Sequence, residues 1–110
     1  MSKVAYAAFT LAALVSSQAF ADTHYMYCYG GGRTALYYSA NFPVPQGTKS
    51  ADTAKVFNAF IQKKYGKTIF SECHSDLTLA NSRSAKKITE DSDQKSKFPS
   101  KLIETGWSGK

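Results

Sequence analysis

The chain has 110 residues, with 14 Lys and Arg against eight Asp and Glu and a net charge of +6. That length suits one small domain and excludes a second core of useful size. The basic residues are scattered, with pairs only at Lys63-Lys64 and Lys86-Lys87. Without a long basic run or aromatic interleaving there is no specific nucleic-acid signal, though attraction to an anionic surface stays open beside plain solubility.

Residues 1–21 read as a cleaved signal peptide. Lys3 supplies a positive start, Val4 to Val15 is apolar apart from Thr10, and Ala19-Phe20-Ala21 offers small residues at the −3 and −1 positions. The apolar run is short for a bilayer, which needs about 20 residues, and no second apolar segment follows. Residues 22–110 are then a single exported domain, periplasmic or extracellular, with no membrane span after cleavage. In such a compartment Cys28 and Cys73, the only two cysteines, are expected to form a disulfide.

The mature chain opens with His24-Tyr25-Met26-Tyr27-Cys28-Tyr29, turns at Gly30-Gly31-Gly32 and returns as Ala35-Leu36-Tyr37-Tyr38-Ser39. Aromatic bulk and the glycine turn predict a β-hairpin. Asn41 to Asp52, with Pro43, Pro45 and Gly47, reads as a loop, and Ser50 or Asp52 would cap the next element. Thr53 to Tyr65 has helical spacing, with Val56, Phe57, Phe60, Ile61 and Tyr65 on one face and Gly66 at the C′ position.

Thr68 to His74 reads as a strand, with Ser75 and Asp76 capping a second helix over Leu77 to Gln94. Its thin apolar stripe is Leu77, Ala80, Ala85 and Ile88. Lys101 to Thr105 makes a last strand, and Ser108-Gly109-Lys110 a frayed tail. The order ββαβαβ predicts an α+β domain: a four-stranded, mainly antiparallel sheet with both helices on one face. Tyr37-Tyr38-Ser39 with Phe42, Lys64-Tyr65-Gly66, Cys73 and Glu104-Thr105-Gly106-Trp107 together resemble a group of small exported bacterial proteins of unknown function. The resemblance implies a shared fold and export, and carries no catalytic residues.

Few constellations support chemistry. His24 and Cys28 sit four strand residues apart, about 13 Å, and Cys73 and His74 point to opposite faces, so no shared zinc site is expected. If cleavage follows Ala21, the mature terminus Asp22-Thr23-His24 resembles the amino-terminal copper- and nickel-binding motif. Its α-amine, backbone amides and imidazole suit square-planar Cu(II) or Ni(II). An acid–base pair of His24 and His74 is disfavoured, because the disulfide puts them on opposite faces. Glu90, Asp91 and Asp93 read as solvated helix charge, and Gly30 to Arg33 lacks the lysine and helix of a phosphate loop.

The distinctive feature is the tyrosines. Tyr25, Tyr27, Tyr29 and Tyr37 are expected on one sheet face, opposite Cys28 and Tyr38, and left open to a partner. The function expected is therefore a protein-interaction module of inhibitor, immunity or envelope-accessory type, without catalysis and with another protein as partner. The competing reading is a small secreted effector hydrolase built on His74, Glu72 and nearby lysines.

Overall fold

The computed structural model describes residues 23–32, 34–96 and 101–110. The expected signal peptide and Asp22 lie outside these. The elements are β1 (Thr23–Gly31), β2 (Ala35–Tyr38), β3 (Phe42–Pro45), α1 (Ser50–Tyr65), β4 (Ser71–Asp76), α2 (Leu79–Gln94) and β5 (Lys101–Glu104). The class is α+β, with five strands in one mixed sheet.

β1 is the axis of the sheet. One of its edges pairs with β4 along six residues, from Tyr25↔Asp76 to Gly30↔Ser71. Its other edge pairs with β2 near Tyr29↔Tyr38 and with β3 near Met26↔Phe42, both antiparallel. Between those two sets the register slips by one residue, which is a β-bulge. The extra strand is thus the second half of one interrupted strand. At the break Cys28 donates its N–H to Ser39 Oγ (2.7 Å) while Ser39 N–H donates to Cys28 O (2.9 Å). A hydroxyl here does the work of a ladder carbonyl.

The segment read as a loop becomes a strand because its prolines sit where no ladder donor is needed. Pro43 and Pro45 alternate with buried Phe42 and Val44, and the ladder bonds fall at His24↔Val44 and Met26↔Phe42. The prolines also leave the outer edge of β3 poor in donors. β5 adds in parallel to β2 in the register Leu36↔Leu102 and Tyr38↔Glu104.

Cys28 and Cys73 are directly opposed on β1 and β4 and form the expected disulfide. On their side of the sheet lies the core: Met26, Cys28, Tyr37, Phe42, Val44, Phe57, Ile61, Ile69 and Trp107. α1 faces it with Ala54, Phe57 and Ile61, while Phe60 and Tyr65 flank the contact. Val56, expected on this stripe, points outward at 53 % exposure. α1 starts at Ser50 with Lys49 as an N-cap that makes no side-chain bond, so neither Ser50 nor Asp52 caps it. Gly66 ends it at φ 67°, its N–H bonded to Gln62 O.

The C-terminal residues are no frayed tail. Trp107 packs edge-on to Phe42 at 5.3 Å and against Phe57 and Phe60, and its Nε1 donates to Lys110 O at 2.9 Å. Ala40 N–H donates to Trp107 O, which closes this segment over the bulge.

α2 lies on the other face. Tyr27 is next to Cys28 in β1 and so points away from it, and its hydroxyl meets Thr89 Oγ1 of α2 at 2.9 Å. The two helices therefore sandwich the sheet, correcting the placement of both on one face. The misplaced apolar stripe explains the difference. Leu77 and Ile88 stand in solvent at 73 % and 70 % exposure, and Ser82 is the buried residue of α2. The helix turns Ser82, Thr89 and Asp93 to the sheet, each to a side-chain hydrogen bond. Its cap is Thr78, which accepts from Asn81 N–H (3.1 Å), because Ser75 and Asp76 are taken into β4 opposite Met26 and Tyr25.

Candidate functional site

The tyrosine face has a different membership from the one expected. The register Tyr29↔Tyr38 puts Tyr38 beside Tyr29, and Tyr37 falls on the core side against Tyr65 (5.0 Å). Tyr27, Tyr29 and Tyr38 form a stacked row with centroids 5.8 and 5.6 Å apart. Nor is this row open. Tyr27 is 2 % exposed and Tyr38 fully buried, while Tyr25 and Tyr29 are half-buried. The face is closed by α2, whose polar inner side supplies partners for the hydroxyls that an apolar helix would strand.

Those partners are specific. Tyr38 O–H donates to Asp93 of α2, whereas Tyr29 O–H donates to Glu72 of the neighbouring strand β4. Burial first, and then these carboxylate bonds, push both phenols well above the usual tyrosine value. Tyr27 is also raised, by burial first, with the Thr89 bond opposing. Asn41 Nδ2 donates to Ser82 Oγ at 2.8 Å, and Lys86 Nζ sits 2.8 Å from Glu104 Oε2. α2 is thus seated by polar contacts from end to end.

The charges expected to be solvated are partly engaged. Glu90 is half-buried and hydrogen-bonded to Glu104, and its carboxyl is raised to about 7 by burial first, then by that bond and the Glu104 charge. Burial pushes Glu104 up, but its bonds to Glu90 and Lys86 outweigh this and lower it. One proton shared by the two carboxyls accounts for both directions. A raised folded-state value means that Glu90 stabilises the fold below its free value of 4.5, and this is lost as pH rises through about 7. Glu104, lowered, works in the opposite sense as pH falls. Glu90→Gln is expected to keep the bond to Glu104 and to remove the part of the melting-temperature decline between pH 5 and pH 8 that Glu90 causes. Melting curves for both proteins across that range check this.

The residues of the hydrolase reading do not converge. His74 pairs with Asp76 (3.0 Å) and leans on the Tyr27 ring, whereas Glu72 is held by Tyr29. The cleft that Glu72 lines does not include His74. His24 shares the Cys28 face and is remote in register from His74. Its N–H is committed to the ladder opposite Val44, which competes with the copper and nickel motif for the same amide. Among the described residues no group of three or more His, Cys, Asp or Glu is placed to hold a metal ion.

What sequence reading missed is an edge. Cys28 turns its N–H and C=O to Ser39, so its pair with Cys73, at a Cα separation of 4.0 Å, is the non-hydrogen-bonded type. The ladder between β1 and β4 is then carried by Glu72, His74 and Asp76. The backbone groups of Ser71, Cys73 and Ser75 point outward, and no hydrogen bond among the described residues takes them up. Phe70, just before this strand, is 89 % exposed, and Leu77, just after it, is also exposed. The strand read over Thr68 to His74 already puts Ser71 and Cys73 on one face; that the strand runs on through Ser75 and Asp76, and that β4 lies outermost, is not legible in the sequence.

Among the described residues no helix is long and apolar enough to cross a membrane. No protein-family model matches the chain, and neither the curated proteins nor the solved structures contain a match to it.

Proposed function

We propose that the protein is an exported, non-enzymatic interaction module that receives an extended segment of another protein along β4. The open outer edge of β4 carries this reading. Its donors and acceptors at Ser71, Cys73 and Ser75, which no described residue takes up, repeat every second residue, the spacing at which an added strand pairs. The edge also lacks the usual protection. Glu72 and His74 are occupied by Tyr29 and Asp76 on the α2 side, and no proline interrupts the strand, in contrast with β3. The disulfide and the ladder to β1 hold the edge rigid, so an arriving strand pays little ordering cost on this side.

Ser75→Pro tests the reading, since it deletes an outward N–H and leaves the inward ladder donors in place. Wild type and variant serve as baits for envelope extract and culture supernatant, with melting curves as the folding control. One dominant protein held by wild type and lost by a still-folded Ser75→Pro is the expected result. The same partner on both baits, or none on either, overturns it.

A further inference from the structure

Beside the N-terminal end of β4, on the α2 side, lies a cleft of about 360 Å³. Phe70, Tyr29 and Leu36 form its aromatic and aliphatic walls, and Glu72 and Asp93 bring two carboxylates to it. Each carboxylate spends one oxygen on a tyrosine hydroxyl, Glu72 on Tyr29 and Asp93 on Tyr38, and so keeps a second. No basic side chain lines the cleft among the described residues, although the chain as a whole is basic. Phe70 is the most exposed large hydrophobic residue described, and it stands at the meeting point of this cleft and the open edge.

We propose that the cleft is a subsite for an arginine or lysine side chain of the strand that adds to β4, at the residue that falls opposite Glu72. This rests on the strand-addition reading and gives it a chemistry. A residue of the added strand opposite Glu72 projects its side chain to the same face, within reach of the cleft. There a guanidinium meets carboxylate oxygens for charge-assisted bonds, and the Phe70 and Tyr29 rings for cation–π contact. An acidic residue at that position would face Glu72 and Asp93 unscreened. An apolar one would leave both carboxylates beside desolvating carbon.

Two blocked hexapeptides test this by calorimetry, one alternating threonine with arginine and the other threonine with citrulline, the neutral isostere. The arginine peptide is expected to bind at least about tenfold tighter. Phe70→Ala and Glu72→Gln should each erase most of that difference and leave citrulline-peptide binding unchanged. Ser75→Pro should abolish binding of both peptides. Equal binding of the two peptides, lost with Ser75→Pro, overturns the subsite and leaves strand addition standing. Arginine-selective binding that ignores Ser75→Pro overturns strand addition and keeps a cationic site. Binding of neither peptide, with a dimer in sedimentation equilibrium, makes a second copy the occupant of the edge and overturns both.

Discussion

Replacing the disulfide by Cys28→Ala together with Cys73→Ala is expected to lower the unfolding free energy by about 4 kcal/mol, the chain-entropy value for a loop of this length. The bridge spans 45 positions and ties β1 to β4 across the loop that contains α1. Among the described strands β4 pairs with β1 alone, so its remaining attachments are that one ladder and α1, whose Ala54 O and Asn58 Oδ1 accept from Ser71 Oγ. Small domains of this kind have total stabilities on the order of 5–15 kcal/mol, so such a loss is a large part of the whole. Urea unfolding of oxidised wild type and the double variant, far-ultraviolet ellipticity as readout, gives the number. A loss below about 1 kcal/mol would mean that the ladder and α1 hold β4 without the bridge, and that the edge owes its rigidity to packing.

Trp107→Ala is the second large effect, about 3–5 kcal/mol, the range for deleting a buried aromatic side chain. Trp107 is 5 % exposed and contacts three rings contributed by β3 and α1. Its indole N–H is satisfied by Lys110 O, and its own carbonyl receives Ala40 N–H at the bulge. Removing it opens the core and loosens the segment that seals the interrupted strand. Trp107→Phe should cost clearly less, since it keeps ring packing and loses only the indole bond. Urea unfolding again supplies the values. Because this is the only tryptophan, wild-type emission should be blue-shifted and should move red on unfolding. Emission already red-shifted in the native state would show the C-terminal segment undocked.

Much of the fold is legible locally. The glycine-closed hairpin, the helix ending at Gly66, the last strand and the disulfide all rest on short-range signals: turn chemistry, 3.6-residue spacing, alternation, cysteine count. β3 was hidden because Pro43 and Pro45 look like loop residues until the strand is known to lie at an edge, with its ladder bonds on the residues between them. Helix placement failed for a subtler reason. α2 buries hydroxyls and a carboxylate against tyrosines and leaves Ile88 outside, so hydrophobic periodicity pointed to the wrong side. The bulge at Ser39 sets which tyrosines share a face, and a one-residue slip in register cannot be read from alternation alone. The β4 edge needed the whole topology, since being outermost is a property of strand order.

Amide hydrogen exchange along residues 71–76 bears most directly on the open edge. The free protein should show alternation, with fast exchange at Ser71, Cys73 and Ser75 and slow exchange at Glu72, His74 and Asp76. Addition of the arginine hexapeptide should slow the first three and leave the others unchanged. Uniform protection across all six amides in the free protein would mean that the outer side of β4 is already occupied, and would contradict the account.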